Sequence, residues 1–265
     1  MRRRLDAELV RRGLVPSRAR AAAAIGAGLV TVGGAPASSA ARQVAPDEAV
    51  VVGPDAARFV SRGGEKLDAA LDRWAIDLQG VSVLDAGAST GGFTDCVLQR
   101  GARGVVAVDV GHGQLAWSLR SDDRVTVLER TNLRHLEALP NGPAEMAVAD
   151  LSFISLVTVA PALLRLTTVS ALMVLLIKPQ FEAGRSRVGR GGIVRDPEIH
   201  RAVVGEVVAG LRTAGLTVAA VMRSPLTGAD GNVEFLACAH REGDLVTPDE
   251  LDRVVLDHIP PGGGQ

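Results

Sequence analysis

The sequence predicts an α/β protein: a mostly parallel sheet with helices on both faces, preceded by a small α+β module. Three observations predict this. From residue 81 onward, short β-branched runs alternate with helical stretches, the pattern of parallel strands joined by crossover helices. A glycine-rich turn follows the first of these runs, and an acid ends the second. Ahead of them the charge changes: residues 1–60 hold nine Arg against five acidic residues, net +4, which leaves −5 for the rest of a chain of net charge −1. A basic head on a mildly acidic body suggests two modules, the first facing a polyanion.

The head is expected over residues 1–57. Leu5-Asp6-Ala7-Glu8-Leu9-Val10 starts a helix that ends near Gly13. Ser17 is the expected N-cap of a second helix, Arg18 to Ile25, stopped by Gly26 and Gly28. Leu29–Val32 alternates as a strand, Gly33-Gly34 turns it, and Ala49–Val52 supplies a late strand. The small and polar residues 35–48 read as an irregular connection. Gly53-Pro54-Asp55 marks a break, residues 58–65 form an interdomain linker, and residues 66–265 form the larger domain. There the expected strands are 81–85, 104–109, 125–129, 145–149, 171–177, 217–223 and 233–239, with helices around 92–100, 155–166 and 197–214.

Residues 154–177 are the most apolar stretch, but Pro161, Arg165 and several Thr and Ser divide it. It falls short of the ~20 uninterrupted apolar residues of a membrane span, so no membrane association is expected. The basic N-terminus lacks the apolar core of a signal peptide. Cys96 and Cys238 have no metal-ligand spacing, so buried free thiols, a cytoplasmic location and no metal are expected.

The turn "LDAGASTGGFTDCVL" follows the first strand of the larger domain. Asp85 closes that strand, Gly87 turns the chain, and Gly91-Gly92 let backbone approach a ligand before a helix begins. Asp109, at the end of the second strand, is placed to hold ribose hydroxyls. Two cofactors compete. A nicotinamide dinucleotide needs G-x-G-x-x-G around its pyrophosphate, whereas this loop reads G-A-S-T-G-G and Asp85 would repel that group. An acid there suits the cationic amino-acid portion of S-adenosylmethionine, which is favoured. The expected cofactor contacts are Asp85, Gly87, Ala88, Ser89, Thr90, Gly91, Gly92, Phe93, Asp109, Val110 and Asp150, with Thr131 and Asn132 flanking the adenine.

Of the 29 basic side chains, only Lys66 and Lys178 are lysines. Lys178 ends the apolar run Met173–Ile177, and Asp150 ends the strand before it. Glu234 is read inside the last strand, facing inward only if that strand runs antiparallel. Arg cannot release its proton in a protein, whereas a desolvated Lys can. A neutral Lys178 is therefore the candidate base for a hydroxyl, with Lys66 as neighbouring charge and Asp150 and Glu234 orienting both amines. Amino-methyltransferases place an Asn/Asp-Pro-Pro-aromatic loop here; Lys178-Pro179-Gln180-Phe181 puts a cation where the amine acceptor would be and points to a hydroxyl nucleophile.

Residues 4–37 resemble an S4 domain, a compact RNA-binding module whose second helix carries the Ser-Arg pair, here Ser17-Arg18, with Arg20 close by. Taken with "VSRGGEKL", "LDAGASTGGFTD", "DVGHGQLAWSLR", "ERTN", "ADLSFISL", "KPQFE" and "GNVEF", in that order, the chain resembles the TlyA family over nearly its whole length. These are bacterial ribosomal RNA 2′-O-methyltransferases, sometimes called haemolysin A. The resemblance implies a Rossmann-like class I methyltransferase domain similar to the FtsJ-like enzymes. Their Lys-Asp-Lys-Glu tetrad falls on Lys66, Asp150, Lys178 and Glu234. It implies methylation of cytidine ribose in the 16S RNA, and in some members the 23S RNA as well. One departure is visible: the mycobacterial linker pattern R-x-W-V is replaced by Ala57-Arg58-Phe59-Val60.

Beyond the cofactor, ribosomal RNA is the expected partner and DNA is not, and a monomer is expected. Arg3, Arg4, Arg18, Arg20 and Arg62 are candidate RNA contacts near the head, and Arg185, Arg187 and Arg190 in "FEAGRSRVGRGGIVRD", read as a flexible cationic loop. The rival readings are an S4-type RNA-binding protein that has lost catalysis, a membrane-active haemolysin and a small-molecule O-methyltransferase.

Overall fold

The computed structural model describes residues 2–26, 28–53, 58–228 and 231–256. Pro54, Asp55 and Ala57 of the expected break and linker, and the end of the larger domain beyond 256, lie outside them. Two compact units divide the chain, Met1–Arg62 and Gly63–Gln265.

In the first unit β1 (Arg3–Arg4) precedes α1 (Leu5–Arg11) and α2 (Arg18–Gly26). Then come β2 (Val30–Val32), β3 (Ala35–Pro36), β4 (Gln43–Val44) and β5 (Val50–Val52). Strand β2 lies between β3 and β5, while β1 pairs with β4. Ser17 caps α2, its hydroxyl accepting the Arg20 N–H at 3.3 Å. Leu5 and Leu9 of α1 meet Ala21, Ala24 and Ile25 of α2 and Val30 and Val32 of β2 in one aliphatic core. Residues 35–48 are thus partly ordered into β3 and β4. Each is two residues long and lacks a β-branched pair, so neither leaves an alternating signal. Phe59, within the segment read as linker, is buried.

The second unit begins with α3 (Gly63–Arg73). It continues through β6 (Ser82–Ala86), α4 (Gly92–Gln99), β7 (Gly104–Val108), α5 (Trp117–Arg120), β8 (Val125–Leu128) and β9 (Ala144–Ala149). The rest is α6 (Leu156–Leu166), β10 (Thr167–Ile177), α7 (Pro179–Glu182), α8 (Pro197–Thr213), β11 (Thr217–Arg223), β12 (Phe235–His240) and α9 (Pro248–Leu256). The seven strands are ordered β11-β12-β10-β9-β6-β7-β8. Only β12 runs against its neighbours, pairing antiparallel with both β10 and β11. Strand order reverses between β6 and β9, which opens a crevice at their carboxyl ends.

The core is aliphatic, as scarce aromatics require. On α6, Leu156, Val159, Ala160, Leu163 and Leu166 are buried against the sheet, a spacing that keeps one helix face inward. Each large side chain sealed this way contributes ~1.5–3 kcal/mol. The apolar segment divides into two elements, as expected; α6 runs through Pro161, and the break comes at Thr167. There the Thr167 hydroxyl donates to the Leu163 carbonyl at 2.7 Å, and Arg241 donates to those of Leu164 and Thr167. These side chains satisfy helix-end carbonyls without a glycine, so helix passes directly into strand. Among the described residues no helix is long and apolar enough to cross a membrane, and no group of three His, Cys, Asp or Glu side chains could hold a metal.

Candidate active site

The crevice beside β6 is floored by the glycine loop. Gly87 takes φ +84°, and a Cβ there would stand 2.6 Å from the Asp150 carbonyl oxygen; the loop must lie against the end of β9. Gly91, at φ +96°, is needed for a different reason, since a Cβ would meet Leu115 at 2.8 Å and collide with Leu119. Packing against these two leucines alone requires glycine here. Gly87, Ser89, Asp109, Val110, Thr131, Asn132, Asp150 and Phe153 line a cleft of about 400 Å³. Ala88, Thr90, Gly91, Gly92 and Phe93, expected to touch a cofactor, are absent from that lining, and Phe93 is buried.

Asp85 also stands behind the loop, not in the cleft. It is fully buried, and the Thr94 hydroxyl donates to its Oδ2 at 2.5 Å. Its Oδ1 is buried without a hydrogen-bond partner. Burial, opposed by the Thr94 bond and reinforced by the charge of Asp150, pushes its carboxyl up to about 7. Asp109 accepts the Ser89 N–H at 2.8 Å and the Gly111 N–H at 2.6 Å, so it ties the glycine loop to the turn after β7. Asn132 accepts the Arg134 N–H at 3.1 Å, and the Thr131 hydroxyl donates to the Glu129 carbonyl at 2.9 Å. A glycine cradle, an acid and an amide along the walls, and an unsatisfied buried carboxyl oxygen beneath fit an adenosine bearing a cationic tail.

Four further groups meet at the same end of the sheet. Lys178 follows β10 directly and Asp150 follows β9, its parallel neighbour, and their Nζ–Oδ1 separation is 2.6 Å. Lys178 also donates to Ser152 Oγ at 3.1 Å, a partner the sequence reading missed. Glu234 lies just before β12, not inside it. The strand does run antiparallel, and Phe235 is registered with Ile177, which brings Glu234 beside the strand end that carries Lys178. Glu234 is buried and ion-paired with Lys66, the buried fourth residue of α3. The four residues therefore form two pairs, Lys178–Asp150 opening onto the cleft and Lys66–Glu234 sealed behind. A buried ion pair stabilises a fold poorly compared with apolar residues, so the sealed Lys66–Glu234 pair, with a partly exposed second pair at the crevice, points to chemistry.

Phe153 is the most exposed large apolar side chain at the cleft, 90% accessible and held at φ +63°, with its ring 4.8 Å from that of Phe181. Of the candidate RNA contacts, Arg3 is exposed, while Arg4 and Arg18 both pair with Asp6, at 3.0 and 2.8 Å. Arg20 donates to the Phe59 carbonyl, and Arg62 is exposed. Arg187 is held bidentately by Glu206 at 2.7 and 2.6 Å, leaving Arg190 and Arg195 exposed. The side chain of Arg185 lies outside the described residues. The segment is built as α7 and two short 3-10 turns, Arg185–Arg187 and Arg190–Gly192, the second kinked at Gly191.

Comparison with known proteins agrees with this geometry. Residues 59–241 match the family model of the FtsJ-like methyltransferases, and residues 3–50 match the S4 domain. A Mycobacterium tuberculosis protein named 16S/23S rRNA (cytidine-2′-O)-methyltransferase TlyA is 51% identical over 246 residues, 92% of this chain and 91% of that one. A Campylobacter jejuni protein named 23S rRNA (cytidine-2′-O)-methyltransferase TlyA is 31% identical over 178 residues, 67% of this chain and 69% of its own. A solved hemolysin-named protein of Streptococcus thermophilus superposes with a TM-score of 0.76 at 38% identity, covering 97% of this chain and 95% of that one.

Proposed function

The chain belongs to the FtsJ-like methyltransferases, in the TlyA branch that carries an S4 domain, and from that premise we propose that it methylates the ribose 2′-hydroxyl of cytidine in ribosomal RNA. The observation that carries this reading is the Lys178–Asp150 pair at the mouth of the cleft, backed by Lys66–Glu234. S-adenosylmethionine, when bound, supplies a methyl group on a sulfonium. Ser89, Asp109 and Asn132 would hold its ribose and adenine, and the turn at Gly87 would hold its amino-acid end.

The 2′-oxygen must shed its proton as it takes up the methyl group. Lys178 Nζ is the proposed acceptor of that proton; Asp150 and Ser152 aim the amine, and Lys66 with Glu234 fixes the charge behind it. An arginine could aim equally well but could not accept the proton. Both the 16S and the 23S RNA are proposed substrates, on the strength of the relative at 51% identity. A ribosomal substrate supports a cytoplasmic location. Loss of catalysis is disfavoured because all four tetrad side chains are present and paired.

The test is Lys178→Arg. With labelled cofactor and separated ribosomal subunits, methyl transfer should fall by about 10²-fold or more, with the fold retained. Undiminished transfer by that variant removes the proton-acceptor role. Label in ribose positions of cytidine identifies the substrate; label on a base nitrogen overturns the reading.

A further inference from the structure

The "GNVEF" stretch contains a second polar residue besides Glu234. Asn232 is 2% exposed and uses both ends of its amide: Oδ1 accepts the Val194 N–H at 3.0 Å, and Nδ2 donates to the Gly192 carbonyl at 3.0 Å. Opposite polarities at the two ends leave one orientation for the side chain. The backbone it grips is the end of the basic segment, where Arg190 and Arg195 are exposed. Val194 is held a second time, because its carbonyl lies 3.0 Å from His200 Nε2 of α8; a carbonyl only accepts, so that nitrogen carries the proton. The stretch is equally constrained on the catalytic side. Asn232 accepts the Gly228 N–H through its own carbonyl at 2.8 Å, and a Cβ on Gly228 would stand 2.6 Å from Glu234 Oε1. The Glu234 carbonyl accepts the Ser224 N–H at 2.9 Å.

We propose that Asn232 is a positioning residue that seats the Arg190/Arg195 segment on the stretch holding Glu234, so that RNA phosphate bound by those arginines sets the Lys66–Glu234 pair. The inference rests on the catalytic reading of that pair. A phosphate drawn to Arg190 or Arg195 pulls on Gly192 and Val194. Two amide hydrogen bonds pass that displacement to Asn232, two residues from the carboxylate.

The experiment compares Asn232→Ala, Arg190→Ala/Arg195→Ala and the triple variant by steady-state methylation of ribosomal subunits. Asn232→Ala should lower kcat by about tenfold or more, as a small misplacement does, while KM for the subunit moves by less than about threefold. The two arginine substitutions should cost clearly less kcat/KM in the Asn232→Ala background than in the wild type. Trypsin should cut at Arg190 and Arg195 faster in Asn232→Ala at an unchanged Tm. If Asn232→Ala fails to fold, Asn232→Asp, which keeps the acceptor for Val194 and loses the donor to Gly192, is read by the same criteria. Additive effects, or a folded variant of wild-type kcat, overturn the inference. Glu234→Gln and Lys66→Ala separate it from its premise: if they abolish methylation while Asn232→Ala does not, only the positioning role falls. If they methylate normally, the catalytic reading falls first.

Discussion

A carboxyl group sealed behind the glycine loop has two unfavourable choices, to bury a charge or to hold a proton at neutral pH. Asp85 sits at that balance, with its carboxyl raised to about 7 chiefly by burial. In the unfolded chain the same group titrates near ~4. Below that pH both states are protonated and Asp85 does not affect stability. Between ~4 and 7 the native state holds a proton that the unfolded state has lost, so stability falls as pH rises, and above 7 the full penalty applies. The shift corresponds to on the order of 2–4 kcal/mol. Asp85→Asn removes the titration, so its Tm should decline less than that of the wild type from pH 5 to pH 8, measured without cofactor. Parallel Tm profiles would rule out this account. The sequence showed an acid at the end of the first strand and suggested contact with a cationic tail. That the residue lies under the loop depends on Thr94, one turn into α4, which no spacing rule reveals.

At the scale of elements, the start of α6 shows how the cleft wall is held. Ser155 caps the helix, accepting the Val157 N–H at 3.2 Å, and Glu182 of α7 accepts the Leu156 N–H at 2.8 Å. Two donors that a helix end leaves unpaired are thus satisfied, one by a residue 26 positions away. Burial raises the Glu182 carboxyl above its ordinary range, opposed by its bonds to Leu156 and Ser155. Glu182→Ala should cost about 1–2 kcal/mol, the usual value of a cap, and lower the Tm by a few degrees in thermal unfolding. An unchanged Tm would mean water replaces the carboxylate there. Legibility followed the physics of each element. The seven strands, the glycine turn and all four members of the tetrad were readable because β-branched runs, glycines and two isolated lysines leave local signals. Long-range partners do not. Asn232, Ser152 and Glu182 bond to residues far along the chain. Glu234 was placed inside a strand that begins one residue later, since Val233 continues the apolar run.

At the scale of the whole molecule, the two cysteines report on packing and the unit boundary reports on function. Cys96 and Cys238 are both buried, and burial pushes the Cys238 thiol up to about 11. A thiolate is the reactive form, so the native protein should show no fast-reacting thiol towards a disulfide reagent at pH 8 and two in denaturant. The unit boundary carries the stronger test. Lys66, Asp150, Lys178, Glu234 and every residue lining the cleft fall within Gly63–Gln265, and that unit has its own aliphatic core. The S4 match and the +4 charge of the head fall outside it. Cofactor binding therefore needs only the larger unit, whereas engagement of a polyanion as large as a ribosomal subunit draws on the cationic head as well. A protein lacking residues 1–57 should bind S-adenosylhomocysteine within about threefold of the full chain by calorimetry, yet methylate ribosomal subunits at least about tenfold more slowly at low substrate. Raising the salt concentration should narrow the gap, because the head's share of the affinity comes from released counterions. If the truncated protein methylated subunits at the full rate, the head would have no part in substrate capture. If it failed to bind the cofactor analogue, the larger unit would not be independent.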